Sequence, residues 1–284
     1  MQFKALGIAL IAIIAAGCSQ SDVHESTSEN TQSAHRPFES TPGIRQPPTS
    51  GRFDYQLGGA YPPPSGVSVV ARDVTDEPAA GLYSICYVNG FQTQPGEEER
   101  WLGTNEDLLL HREGELVVDP DWPDEYVLDP TDPQRRERIA SIIGESIDSC
   151  AELGYDAIEI DNLDSWSRFP ELDQASSIAL AETYVTRAHD SGLAIGQKNS
   201  AETVVAARTE LHFDFAVVEE CWVFDECDAY VDEYGPYVYD VEYTDSLDVP
   251  FTDVCSSSGH VPLTVLRDRD LVTNEHPDYV YEHC

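Results

Sequence analysis

Lysine is almost absent from this chain. Among 284 residues only Lys4 and Lys198 carry an ammonium, and all Lys and Arg together number 16 against 53 Asp and Glu, a formal net charge of −37. A surface of that sign repels phosphate backbones and excludes nucleic acid as a partner. Long apolar runs are scarce as well: residues 5–16 form one, and it is too short to span a bilayer comfortably. No glycine-rich phosphate loop follows the first strand-like segment, which weakens a dinucleotide-type open sheet. The cysteines lack a second Cys-x-x-Cys spacing and a His cluster, so no zinc site is expected. Asp119, Asp121, Asp124, Asp129 and Asp132 lack the Asp-x-Asp-x-Asp-Gly calcium loop and read as a solvated acidic loop. Neither a metal nor any other cofactor is expected.

What remains is enough for one core. A hydrophobic content of 41% and an aromatic content of 10% suit a single domain of about 200–250 residues and argue against wholesale disorder. Ahead of it, Lys4 precedes the apolar run and Gly17-Cys18 follows. Small residues before a cysteine resemble a lipobox, so residues 1–17 read as a lipoprotein signal and Cys18 as the lipidated first mature residue. An ordinary secretory signal with a chance cysteine is the alternative. Residues 19–50 hold 11 Ser/Thr and 4 Pro, with Phe38 the one aromatic, so 18–50 reads as a flexible tether and 51–284 as the folded domain. The expected place is outside the cytoplasm, at the cell surface or in the periplasm. The protein is expected to be a monomer that touches the membrane through lipid alone.

Six cysteines remain beyond Cys18, and an even count in that setting favours disulfides. Cys221 and Cys227 lie closest and are the safest pair. Cys255 with Cys284 and Cys86 with Cys150 stay open among the fifteen pairings that six cysteines allow.

Short apolar segments alternate with amphipathic ones from Arg52 onward. Strands are predicted at Phe53–Leu57, Val67–Ala71, Leu82–Val88, Tyr126–Leu128, Ala157–Asp161, Ala194–Lys198, Phe215–Glu219, Tyr237–Val241 and Val261–Leu266, and helices at Pro133–Leu153 and Ala175–Ser191. Repeated helix–Gly–strand punctuation marks αβ units and points to a (β/α)8 barrel. Nine candidates for eight strands make Tyr126–Leu128 the weakest.

Functional groups of such a barrel gather at the carboxyl ends of its strands. Asp73, Asp161, Lys198, Glu219 and Glu242 follow apolar runs there. Lys198 stands out as the one lysine after the leader, and its ammonium is expected to pair with carboxylates and hold one ionised. Asp161-Asn162-Leu163-Asp164 and Glu219-Glu220 supply them. Glycosidic hydrolysis needs one ionised carboxylate and one protonated carboxyl on separate supports, with environment splitting their pKa values. Tyr61, Tyr87, Phe91, Trp166, Trp222 and Tyr243 accompany the acids as sugar-stacking or packing aromatics.

Tyr55-Gln56-Leu57-Gly58-Gly59, Ile85-Cys86-Tyr87-Val88-Asn89-Gly90, residues 154–162 (GYDAIEIDN), Gly196-Gln197-Lys198-Asn199, Glu219-Glu220-Cys221 and Val241-Glu242-Tyr243 resemble, in order, glycoside hydrolase family 114. The resemblance spans residues 53 to 245. It implies a (β/α)8 barrel with endo-α-1,4-polygalactosaminidase activity on galactosamine-containing polysaccharide. By position it implies Asp161 as nucleophile and Glu219 as acid/base in a retaining mechanism, with Glu220 the competitor because the doublet leaves the match ambiguous by one residue. Asp73, Tyr87, Asp164, Lys198, Asn199, Glu220, Trp222 and Glu242 would line the sugar sites. A polycationic substrate suits residues 51–284, which hold 13 bases and 49 acids. Acidity with little lysine is also a high-salt adaptation, and at about 1 M salt a Debye length near 3 Å would end long-range steering. A non-catalytic sugar-binding lipoprotein on the same barrel is the alternative function.

Overall fold

Eight parallel strands carry the fold of this computed structural model, which describes residues 43–284. They are β1 (Arg52–Gln56), β2 (Val67–Asp73), β3 (Tyr83–Asn89), β4 (Ala157–Asp161), β5 (Ala194–Lys198), β6 (Phe215–Glu219), β7 (Val238–Tyr243) and β8 (Thr264–Arg267). Each pairs with the next in a parallel ladder, and a short ninth strand, β9 (Tyr281–His283), adds antiparallel to β8. The predicted leader and Cys18 lie outside the described residues. Among the described residues no helix is long and apolar enough to cross a membrane.

Side chains close the cylinder between its two ends. Arg267 on β8 is fully buried; its guanidinium donates to the Tyr55 carbonyl and pairs with Asp54 at 3.4 Å. The Tyr281 hydroxyl donates to the Phe53 carbonyl at 3.1 Å. Strand alternation then divides the apolar residues between two cores. Tyr55, Val69, Ile85, Ala157, Val217, Tyr239 and Val241 fill the barrel, while Val88, Ile158, Ile160, Ile195 and Val218 face the helices. Gly196 points inward because Phe215 occupies its space: an added Cβ would lie 2.4 Å from that ring.

The helix α1 (Pro133–Leu153) starts where Asp132 accepts from the Gln134 and Arg135 amides and stops at Gly154 in a left-handed conformation. Ile139, Ile143 and Ile147 bury its apolar stripe. The next long helix, α2 (Gln174–Asp190), is capped by Asp173 and packs beside it through Leu180, Tyr184 and Val185. Disulfides join Cys86 to Cys150, Cys221 to Cys227 and Cys255 to Cys284. The first ties β3 to α1.

Three expectations change. Tyr126–Leu128 is no barrel strand; it makes isolated bridges inside a long excursion after β3, opposite Gln92, Leu109 and Val118. That excursion is braced by its own acids: Asp119 is buried on Gln92 and Arg168, Asp129 takes Thr131 and Arg135, and Asp132 caps α1. A freely solvated loop is therefore the wrong description. Residues 45 and 48, predicted to belong to a flexible tether, are bound to the barrel. The hydroxyls of the interior Tyr83 and Tyr239 donate to the carbonyls of Arg45 and Pro48, at 3.0 and 2.6 Å, and Arg45 pairs with Asp156. Poor apolar content hid this because backbone carbonyls and the Arg45 guanidinium carry much of the contact, with Ile44 packed against the barrel core.

Candidate active site

Lys198 sits at the centre of the open end. It leaves the carboxyl end of β5 inward, is 2% exposed, and its Nζ lies 3.4 Å from Asp161 Oδ2 and 3.0 Å from Glu219 Oε2. The rings of Tyr55 and Tyr87 lie below it, with centroids 5.5 and 5.6 Å away. Burial opposes the ammonium's charge, but Asp161, Glu219 and Glu159 more than offset it and hold its pKa well above the ordinary lysine range.

The two carboxylates differ in what faces their remaining oxygens. Asp161 Oδ1 accepts from the Asn162 amide at 2.7 Å, and Oδ2 accepts from the Tyr87 hydroxyl at 2.7 Å as well as from Lys198. Glu219 Oε2 accepts from Asn199 Nδ2 at 3.1 Å and from Lys198, while Oε1 accepts from the Tyr243 hydroxyl. Asn199 Oδ1 in turn accepts from the Glu219 backbone amide at 2.8 Å. Burial pushes the Glu219 carboxyl up, yet Lys198 and the donors from Tyr243 and Asn199 win and set it below the ordinary glutamate range. Resting Glu219 is therefore ionised and is not held protonated by its burial.

Glu220 is turned away. Its φ of 58° is left-handed, and its carboxylate takes a two-point grip from Arg269 at 3.0 and 2.8 Å. Arg269 also holds Asp245 and lies 4.0 Å over the Tyr243 ring. Asn162 and Asn199, the residues after Asp161 and Lys198, are left-handed as well, with φ of 63° and 48°. Such strained non-glycine turns gather at functional sites.

A cleft of about 660 Å³ collects Tyr87, Asp161, Asp164, Lys198, Asn199, Glu219 and Glu220 among its lining residues. Three residues placed there from sequence lie elsewhere. Asp73 folds back on Thr75 and meets the cleft only through Gln94, which donates to it at 2.7 Å. Strand β7 runs on to Tyr243, so Tyr243 points inward and Glu242 faces the helices, where its Oε1 accepts from the Trp222 amide at 2.8 Å. The Trp222 ring packs half-buried against the outer core and anchors this loop. Of the other aromatics, Phe91 is core and Tyr61 is buried on Asp54.

Sequence reading overlooked Glu159. It shares the inward face of β4 with Ala157 and Asp161, a relation that period-two alternation contained. It is fully buried, and burial, opposed by Lys198 and reinforced by Asp161 and Glu219, pushes its pKa up to about 8. Glu159 is thus a neutral acid beneath the pair at pH 7. Cys221, Cys227 and Asp240 have metal-like spacing, but the two sulfurs are bonded to each other, so this group does not form a ligand set.

Similar architecture occurs in solved proteins. Aspergillus fumigatus Ega3, crystallised in complex with galactosamine, aligns over 88% of this chain and 100% of its own, at 21% identity and a TM-score of 0.67. The glycoside hydrolase domain of PelA from Pseudomonas aeruginosa aligns over 82% of this chain and 98% of its own, at 14% identity; its TM-score is 0.53, and that of a variant is 0.56. At these identities the likeness concerns the barrel. No curated protein matches the sequence. The sequence pattern of one family, however, runs through residues 33–284 and takes in every strand and both carboxylates described above, and by that match the chain belongs to glycoside-hydrolase family GH114.

Proposed function

We propose that this glycoside hydrolase cleaves α-1,4-linked galactosamine-containing polysaccharide internally and with retention, Asp161 attacking the anomeric carbon and Glu219 exchanging the proton. One observation carries the reading: both carboxylates touch a single ammonium. Their bonded oxygens can be no farther apart than the sum of the 3.4 and 3.0 Å contacts, 6.4 Å. Retaining pairs stand about 5–5.5 Å apart and inverting pairs about 6.5–9.5 Å, with room for water between them.

Hydrogen-bond chemistry supports the division of roles. A proton on Asp161 Oδ1 would meet a backbone N–H, and one on Oδ2, although the Tyr87 hydroxyl there could accept it, would face the Lys198 ammonium on the same oxygen; neither the N–H nor the ammonium can turn into an acceptor. Glu219 Oε1 meets only a hydroxyl, that of Tyr243, which can accept as readily as it donates. Glu219 is therefore the carboxyl able to take up a proton in place. Asp161 keeps the geometry of an attacking carboxylate.

The substrate reading rests on the family, on Ega3's complex with galactosamine and on the acids along the cleft, among them Asp121, Glu125, Asp164 and Asp270. Incubation of the barrel domain with partly deacetylated galactosaminogalactan should give mid-sized oligomers, seen by sizing the products. Release of monosaccharide alone would contradict internal cleavage, and no product would contradict the substrate class. In the same proposal the barrel hangs outside the cytoplasm from a lipidated Cys18, because a lysine, a short apolar run and small residues precede that cysteine. Detergent-phase partitioning of the full chain should then be lost in Cys18→Ser; a variant that still partitions would refute the anchor.

A further inference from the structure

The excursion between β3 and α1 passes over the mouth of the barrel and makes a tight turn there, where the Glu125 amide donates to the Trp122 carbonyl at 2.9 Å. The two side chains of this turn differ sharply in exposure. Trp122 is 57% exposed, one of the most open large apolar side chains among the described residues, whereas Glu125 is 8% exposed. Both line the same cleft as Asp161 and Glu219.

The fold fixes Glu125 through one of its two oxygens. Its Oε2 accepts from Asn89 Nδ2 at 2.7 Å, and Asn89 Oδ1 accepts from Asn162 Nδ2 at 3.0 Å. Asn162 is the residue whose amide fixes Asp161, so one chain of amides sets Glu125 in register with the reacting carboxylate. Arg168, the guanidinium on this side of the cleft, donates to Asp119, Asp164 and Asn162 instead. Among the described residues none forms an ion pair with Glu125, and an ionised carboxylate buried in this way is costly in the empty protein, a cost that a cationic ligand relieves.

We propose that Glu125 and Trp122 form an amino-sugar subsite: the carboxylate receives the ammonium of a galactosamine ring, the indole receives the ring's apolar face, and the turn thereby selects N-deacetylated residues. This rests on the polysaccharide reading above and adds the residues that read the amine. An N-acetyl group in the same place would offer no charge, and its bulk would fall against a carboxyl already engaged by Asn89.

Titration gives the subsite a signature. Burial pushes Glu125 up to about 7; Asp161 and Asp119 push the same way, against the Asn89 hydrogen bond and Arg168. An arriving ammonium favours the ionised form, so binding expels a proton from a protein in which Glu125 was neutral. At pH 6 a sugar amine is already charged and most Glu125 is protonated, so galactosamine binding should release up to about one proton per site.

Two measurements test this. Calorimetric titration of the wild-type protein and of Glu125→Gln with galactosamine at pH 6, repeated in buffers of different ionisation enthalpy, reads the proton directly; weaker binding with less proton release in Glu125→Gln supports the subsite, and equal affinity and equal release in both proteins overturn it. The second compares kcat/KM on fully deacetylated and fully N-acetylated α-1,4 oligomers. Glu125→Gln, nearly isosteric but uncharged, should cut the preference for the deacetylated oligomer about 10- to 100-fold, as expected for a lost hydrogen bond between charged groups. A preference that survives the substitution assigns Glu125 to loop structure and overturns the proposal. If the wild type cleaves neither oligomer, the polysaccharide reading fails by itself. Galactosamine binding that weakens in Glu125→Gln would then still support the subsite, and binding of equal affinity in the variant, or none in either protein, would overturn that too.

Discussion

Asp161→Asn and Glu219→Gln should each remove nearly all release of reducing ends from the polysaccharide while the barrel stays folded. Both replacements keep size and hydrogen-bonding shape but remove the charge that attack and proton transfer require. Loss of general acid–base assistance alone is worth about 10²–10⁴-fold, and loss of the nucleophile removes the covalent route altogether. Glu220→Gln is the internal control. Its carboxylate belongs to Arg269 and not to Lys198, so kcat should stay within about tenfold of the parent, the scale of one exposed or half-exposed ion pair. A larger loss in Glu220→Gln than in Glu219→Gln would reverse the choice within the doublet.

Azide separates the two roles. With an activated leaving group, Glu219→Ala plus azide should give a glycosyl azide of retained configuration, because in the proposed mechanism Asp161 would still form the covalent intermediate. Asp161→Ala plus azide should give the inverted product. The opposite pattern would exchange nucleophile and acid. A pH signature accompanies the assignment. The folded-state pKa of Glu219 lies below the ordinary glutamate value, since Lys198 and the donors from Tyr243 and Asn199 outweigh burial. A general acid acts only when protonated, so kcat/KM, which reports the free enzyme, should fall as pH rises out of the acidic range. A profile still rising at neutral pH would contradict Glu219 as the acid.

The second large effect is expected at Lys198. Replacement by Met keeps the length and apolar stem but leaves Asp161 and Glu219 facing each other with no ammonium between them. Burial would then dominate at Glu219, and its pKa should move from below the ordinary value to above it. The descending limb of the pH–rate profile should shift upward accordingly, while kcat/KM falls about 10²-fold or more through loss of the charge that organises the site. Stability follows with a definite sign. In the parent, a depressed carboxyl contributes stability above the unfolded pKa and loses it as pH falls through the folded pKa. In Lys198→Met the raised carboxyl reverses this, so the variant should be weakest at neutral pH and recover on mild acidification. Breaking a buried ion pair costs about 3–5 kcal/mol, which urea midpoints at pH 5 and pH 7.5 would resolve. Equal midpoints at the two pH values would show that the carboxylates do not depend on the lysine.

Much of the barrel was legible because parallel strands covered by helices read as short apolar runs, and because Asp132-Pro133 and Gly154 punctuate a helix in the sequence itself. Tyr126–Leu128 misled for the same reason: three residues of the right composition bridge locally whether or not they join the main sheet. The lone lysine, Asp161 and Glu219 were visible as charges at the ends of apolar runs. Glu242 had the same mark and failed, because its strand continues one residue further and one residue exchanges the two faces. Glu125 and Trp122 carried no mark at all, since their excursion has no period to read.

By itself, then, the sequence determined the alternation of strand and helix, the scarcity of cations and the candidates from which a catalytic pair could be drawn, since composition and periodicity are local properties. Which oxygens meet Lys198, which member of the Glu-Glu doublet faces the hollow, and which acid is left without a cation were decided only by tertiary structure. Each depends on distances between residues far apart in the chain, and on the burial that turns a charge from a solvated group into a strong interaction.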